Sequence, residues 1–104
     1  GLACSPGQVR GRVRVLKSIH DSETLLKGEI MVVPYTDPGW TPLFGLSAGV
    51  ITETGGLLSH AALIAREYSI PAVLNIPDAT EKLKTGMQIE LDGSSGRILI
   101  LNDV

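Results

Sequence analysis

The stretch Gly49–Ile76, GVITETGGLLSHAALIAREYSIPAVLNI, decides the fold. Residues 49–54 (GVITET) are rich in β-branched side chains and read as a strand. Gly55-Gly56 ends it, since paired glycines permit backbone angles that break a strand. Ser59 is a helix N-cap in front of His60. The helix that follows is expected to run to about Tyr68. Ala61, Ala62, Leu63, Ile64 and Ala65 make it apolar almost all round, so it is expected to be largely buried. Pro71 to Ile76 returns as a second short strand. Strand, helix and strand in succession form a βαβ unit.

Working upstream, Glu29 to Pro34 (EIMVVP) is an apolar strand. Thr36-Asp37-Pro38 is a helix start: Thr36 or Asp37 can cap, and Pro38 suits the first helical position. This helix is expected to reach about Ser47, with Trp40, Leu43, Phe44 and Leu46 turned inward. Nearer the start, Val9, Val13 and Val15 alternate with Arg10, Arg12 and Arg14, which predicts a strand with its arginine face in solvent. Ser5-Pro6-Gly7 is a turn. His20 to Lys27 is a polar turn or short helix ended at Gly28, with His20 on the surface. Downstream, Asp78 and Glu81 suggest a capping box for a short helix ending at Gly86. Met87–Leu91 and Arg97–Leu101 are strands joined by the turn residues Asp92 to Gly96, a hairpin. The order predicts an α/β fold: a mixed sheet or small barrel-like β-core with flanking helices.

The 104 residues are enough for one domain with a core of its own. With 43% hydrophobic and 19% charged residues the composition is that of an ordinary globule. Its four aromatic residues (one Trp, two Tyr, one Phe) leave the core mainly aliphatic. No apolar run approaches a membrane span. Nine basic against eleven acidic residues, net −2, leave no footprint for nucleic acid or an anionic membrane. One cysteine, Cys4, excludes an internal disulfide and suits a reducing compartment. With two histidines far apart it does not make a structural zinc site. No basic segment leading into an apolar one opens the chain, so a cytoplasmic location is expected. The first residue is Gly1, not methionine, and the 1–104 unit is expected to be a fragment of a larger multidomain enzyme.

Several chemistries are missing. There is no GxxxxGK[ST] and no GxGxxG, hence no phosphate-cradling nucleotide motif, and no G-x-S-x-G nucleophile elbow. Ser59 and His60 are neighbours whose side chains diverge, so they are not a Ser–His pair. Glu53 falls on a polar strand face and is expected to be solvated. What remains is Thr54-Gly55-Gly56-Leu57-Leu58-Ser59-His60-Ala61-Ala62. As first residue of a helix, His60 projects beside the unpaired amides of the first turn. The positive end of the helix disfavours imidazolium by at most ~2 kcal/mol, which keeps the ring neutral and nucleophilic. The same amides favour an anion attached to the ring, as at helix N-terminal phosphate sites. The glycines allow backbone to approach a phosphate closely. A histidine that is neutral before it carries phosphate and anionic afterwards therefore gains twice from this position. The ring is expected to be exposed.

Gly55–Val73, GGLLSHAALIAREYSIPAV, resembles the signature around the phosphorylated histidine of the phosphohistidine swivelling domain, the mobile domain of phosphoenolpyruvate (PEP)-utilising enzymes. The resemblance extends over the chain, through Ser5-Pro6-Gly7 with Gly11-Arg12-Val13, through Tyr35–Leu43 (YTDPGWTPL), and through Asp92-Gly93 and Gly96. It is closest to PEP synthases (pyruvate, water dikinases) and rifampicin phosphotransferases, on Trp40-Thr41-Pro42-Leu43 and Ala65-Arg66-Glu67-Tyr68. Pyruvate, phosphate dikinases and enzyme I of the sugar phosphotransferase system commonly have threonine two residues before the histidine, where this chain has Leu58. Where the family often has glycine after the Pro-Ala-Val strand, this chain has Asn75.

The resemblance implies a small swivelling β/β/α domain in which His60 is the catalytic nucleophile. Thr54, Gly55, Gly56, Ser59 and Ala61 would then hold the phosphoryl oxygens. It implies a phosphotransferase of the kinase type, acting as part of a longer chain. His60 would carry the phosphoryl group between a nucleotide-binding domain and an acceptor or PEP-binding domain, the partners of this one. ATP and Mg would be held by those partners, with no cofactor or metal on this domain. The isolated domain is expected to be a monomer without activity alone. Two other readings stay open: a non-catalytic swivelling domain that serves interdomain docking, and a stand-alone regulatory module. Glu67 lies too far along the helix axis, ~10 Å, to touch His60. Arg66 is expected in a salt bridge or an interdomain contact.

Overall fold

The computed structural model describes residues 1–102. Seven strands, β1 (Leu2–Ser5), β2 (Gln8–Val15), β3 (Ile30–Val33), β4 (Gly49–Thr52), β5 (Ala72–Leu74), β6 (Gln88–Asp92) and β7 (Arg97–Asn102), form one sheet in the order β1-β5-β4-β3-β2-β6-β7. The central pairs β2–β3, β3–β4 and β4–β5 are parallel. The flanks are antiparallel: β1 on β5, β6 on β2 and β7 on β6. Three helices interrupt the strands: α1 (Thr41–Phe44), α2 (His60–Glu67) and α3 (Ala79–Lys82). Single 3-10 turns cover Ile19–Thr24 and Pro38–Trp40. The fold is α/β with a mixed sheet.

Every residue of β3, β4 and β5 is buried. Such runs mark parallel strands covered on both faces. The pleat divides their side chains into two sets. Met31, Val33, Val50, Ala72 and Leu74 meet Trp40, Phe44, Ala61, Ala62 and Ala65 on the side of α1 and α2. Ile30, Val32, Ile51 and Val73 face the other way, onto Val13, Ala79, Leu83, Ile89 and Leu91. One short helix does not cover that second face; the sheet covers it by curling. The β6–β7 turn comes back over the opposite end of the sheet, where Gly93 N donates to Gly7 O (2.8 Å) and Gly1 N to Gly96 O (3.3 Å). A Cβ on Gly93 would collide with the Ser5 carbonyl and stand 2.9 Å from Ala72 N. Gly96 has φ +80°, a left-handed angle that glycine adopts without strain.

Several expectations are corrected. The segment after Pro38 is not a helix to Ser47; Gly45 and the exposed Leu46 lie beyond its single α turn. α2 is buried on one face only, through Ala61, Ala62 and Ala65, while Leu63 is exposed. Small residues let the helix lie close to the sheet, so the alanines, not the larger leucine, take the inner face. α3 ends at Lys82, not Gly86, and has no capping box: Asp78 sits at φ 59° with no side-chain cap bond. Its start is held by Glu53 instead, whose Oε2 accepts from Thr80 N (2.9 Å) and Thr80 Oγ1 (2.6 Å). Glu53 is therefore bonded and half-buried, not solvated. The sequence reading also has no counterpart of β1.

The arginine face of β2 is open to solvent at Arg10 and Arg12 but not at Arg14. Arg14 binds the buried Glu29 through two bonds, Nε to Oε1 (3.0 Å) and Nη2 to Oε2 (3.1 Å), and Leu26 N adds a third to Oε1 (2.7 Å). Burial alone would push the Glu29 carboxyl up. The Arg14 guanidinium and the Leu26 amide outweigh it and hold the group below the ordinary carboxylate value. This pair ties β2 to the chain just ahead of β3.

Two outcomes are expected. Gly93→Ala destabilises the domain by about 1–3 kcal/mol, the usual loss on forcing an extra methyl into a closed contact, read as a lower urea midpoint. Because the folded-state pKa of Glu29 is depressed, its stabilisation is complete above the ordinary glutamate value of ~4.3 and fades as pH falls through the lowered one. Urea midpoints should therefore drop on acidification below about pH 4–5. Glu29→Gln should lose about 2 kcal/mol at neutral pH and show a shallower acid slope than the parent.

Candidate functional site

β3 and β4 are parallel neighbours, so the loops leaving their carboxyl ends lie side by side. Thr54 N (3.3 Å) and Thr54 Oγ1 (3.2 Å) both donate to Pro34 O and tie the two loops together. From the β3 loop come Thr36 and Thr41; from the β4 loop comes His60. Thr36 Oγ1 lies 2.8 Å from His60 Nδ1, and Thr41 Oγ1 lies 3.2 Å from Nε2. Phe44 meets the imidazole edge-on, with centroids 6.0 Å apart and planes at 82°. The ring is half-buried, not exposed, because the loop folds over it. That loop is itself braced: Asp37 Oδ1 accepts from Gly39 N (2.9 Å), and the buried Trp40 packs edge-on to Tyr35 at 6.4 Å.

The loop ahead of α2 is held from three sides. Ser59 caps the helix: its Oγ accepts from Ala62 N (3.4 Å) and donates to Gly56 O (2.7 Å). Gly55 has φ +119°, and a Cβ there would stand 3.1 Å from Ser59 Oγ. Thr52 Oγ1 donates to Thr54 O at 2.6 Å. Arg66, expected in a salt bridge or interdomain contact, forms no ion pair among the described residues and binds backbone: Nε donates to Cys4 O (3.0 Å) and Nη1 to Leu57 O (2.8 Å). It ties this loop to β1. Burial pushes the Cys4 thiol up, and the nearby Arg66 charge only partly opposes it, so the thiol stays protonated.

The six residues singled out in the sequence separate by role. His60, Gly55, Gly56 and Ser59 meet at the helix start. Gly56 is open, with nothing within 4 Å of where a Cβ would stand. Ala61 is buried, so only its first-turn amide faces the site. The Thr54 hydroxyl is turned to Pro34 O and away from the ring. Thr36 and Thr41 were missed as ring partners. Both lie in the YTDPGWTPL stretch, and the histidine partner is 24 and 19 residues away in sequence. Among the described residues no group of three or more His, Cys, Asp or Glu could hold a metal ion.

A neutral imidazole has one N–H and one lone pair, and a hydroxyl can serve either. Two threonines on opposite ring nitrogens therefore fix the ring plane while permitting both tautomers. The shorter bond, to Thr36, favours Nδ1 as the anchored nitrogen. Nε2 has the longer contact, 3.2 Å to Thr41 Oγ1.

Residues 25–96 match the family model of the PEP-utilising enzyme mobile domain. The chain belongs to that family. It is 48% identical over 101 residues to a rifampicin phosphotransferase of Bacillus cereus, covering 97% of this chain and 12% of that protein. It is 42% identical over 97 residues to a phosphoenolpyruvate synthase of Aeropyrum pernix, covering 92% of this chain and 12% of that one. The chain thus spans about 12% of the length of these curated relatives. Among solved structures, Enzyme I (nEIt) superposes with a TM-score of 0.67 at 27% identity, over 80% of this chain and 34% of that one. The mobile-domain fold accounts for Asn75: its φ is 61°, and asparagine is among the few non-glycine residues that tolerate that angle.

Thr36→Val should remove the anchor at Nδ1 and leave Thr41 in place. The expected result is a changed pattern of ¹⁵N shifts for the His60 ring nitrogens, reporting a shifted tautomer balance, with the backbone amide spectrum otherwise preserved. An unchanged ring spectrum would remove Thr36 from this role.

Proposed function

We propose that this chain is the phosphocarrier domain of a longer phosphotransferase of the PEP synthase or rifampicin phosphotransferase type, with His60 as the covalent nucleophile. The observation that carries the reading is the imidazole held between Thr36 and Thr41 at the first residue of α2, beside a glycine-opened loop. The family membership supports the same chemistry.

The Nδ1–H donates to Thr36 Oγ1, which leaves the lone pair on Nε2. Thr41 swings off its longer contact, and Nε2 forms the N–P bond while the P–O bond to the nucleotide breaks and its electron pair departs with that oxygen. The phosphoryl oxygens, which bring their negative charge to the ring, meet the first-turn amides of His60 and Ala61 and the open backbone at Gly55 and Gly56. A helix N-terminus favours such an anion. Transfer to the acceptor reverses these movements. ATP and Mg would belong to a nucleotide-binding partner domain, and pyruvate or a rifamycin to an acceptor domain of the same parent chain.

The test is His60→Ala in the parent protein. Labelled ATP should place acid-labile phosphate on the wild type and none on the variant, while the variant keeps its thermal midpoint within a few degrees. Equal acid-labile labelling of the variant would overturn the assignment.

A further inference from the structure

β7 is the last strand of the sheet and pairs with β6 along one edge only. It runs for six residues, RILILN, without proline and with Leu99, Ile100 and Leu101 exposed. Natural proteins cover or blunt a long apolar edge of this kind, because its free N–H and C=O groups invite another strand. Beside it lies a groove of about 320 Å³, walled by Ile76, Ala79, Leu83, Ile98 and Ile100 and bordered by Gly1 and Gly96. Gly1 N donates to Gly96 O (3.3 Å), which has the form of the first bond of a ladder. The strand directions agree with one. β1 is antiparallel to β5, and β5 is parallel through β4 and β3 to β2. β7 returns through β6 to the direction of β2. β1 therefore runs against β7, and a residue bonded to Gly1 N is led along the open edge from Gly96 towards Ile98 and Ile100. The faces agree as well. A Cβ on Gly1 would meet the Val73 and Ile76 side chains, so Gly1 faces the core, and in a strand the second and fourth residues before it share that face. Counted from the Gly1–Gly96 bond, those two fall opposite Ile98 and Ile100, the β7 residues that wall the groove. A cavity of ~150 Å³ holds one benzene ring, so the groove has room for about two branched side chains.

We infer that the residues of the parent chain directly ahead of Gly1 continue β1 as an antiparallel strand on the open edge of β7, and that the second and fourth of them are apolar and fill the groove. The curated relatives extend well beyond the segment that this chain matches, since it is about 12% of their length. Among all covers for the β7 edge, this one is selected by covalent connection: Gly1 already stands at the mouth of the groove, on the right face and in the right direction. The inference goes beyond the proposed function and does not need His60 to carry phosphate. Its consequence is for the tether. The linker is anchored on β7, and free movement of the domain begins ahead of the added strand, not at Gly1.

The experiment is amide hydrogen exchange of the parent protein, read by mass spectrometry on Arg97–Asn102, with the central strand Ile30–Val33 as reference for the fold. Pairing with β6 alone protects about every second amide of β7. The wild type should protect nearly all of them. Each of the four residues before Gly1 is then changed singly to Asp. At the second and fourth positions the change should speed exchange of β7 about tenfold, the order expected when a local hydrogen-bonded cover is lost. At the first and third positions the rate should stay that of the wild type, and Ile30–Val33 should stay protected throughout. A wild type in which only every second β7 amide is protected overturns the inference without any variant. Protection that rises with protein concentration would assign the edge to a second copy and overturn it. So would protection that none of the four changes weakens, which would assign the edge to another part of the parent chain. Labelling of His60 by ATP is a separate readout, and its failure would bring down the phosphocarrier reading while leaving this one standing.

Discussion

Parallel pairing of β3 with β4 is the constraint from which the site follows. Two parallel neighbours send their carboxyl-end loops out of the same edge of the sheet. The β3 loop delivers two hydroxyls and the β4 loop a histidine, and the Thr54–Pro34 bonds fix one loop against the other. Parallel strands also need both faces covered. α1 and α2 cover one, so the histidine helix and the loop that clamps its ring lie on the same side. The curled sheet covers the other, which makes the closure at Gly93 a distant support for the site.

Two electrostatic effects act at the helix start on different species. The first-turn amides and the helix dipole favour negative charge, which under the proposed function is that of the phosphorylated form. The threonine hydroxyls can each donate to or accept from a ring nitrogen, and under the proposed function they hold the ring in the form that attacks. Neither effect is large, since a terminal dipole is worth about 0.3–1 kcal/mol at an exposed site and a hydroxyl bond about 1.

How much of this was legible depended on sequence distance. The strand–Gly-Gly–helix–strand unit of residues 49–76 was readable, because its signals are local: β-branched runs, a glycine pair, a serine cap. The hairpin of β6 and β7 was readable for the same reason. The helix expected after Pro38 was overextended because Trp40, Leu43, Phe44 and Leu46 have helical spacing. Gly39, Pro42 and Gly45 in the same segment break the propensity and leave a 3-10 turn with one α turn. β1 is four residues long and too short to show alternation. Glu53 looked solvated because Thr80, the group it binds, is 27 residues away. Thr36 and Thr41 were quoted for their motif, but nothing local says that their hydroxyls turn to a ring two elements later.

The division of labour between site and core explains why the histidine that the proposed function makes central is marginal to the fold. The ring sits at the rim, against the edge of Phe44, and its bonds are to two hydroxyls that water could replace. The elements presenting it are fixed by independent means: Ser59 caps α2, Arg66 ties the preceding loop to β1, and Ala61, Ala62 and Ala65 pack α2 on the sheet. Under the proposed function, a carrier that visits two sites has to arrive at each with the same geometry. Rigidity in the supporting loop and lightness of contact at the ring are both needed, and they are supplied here by different residues.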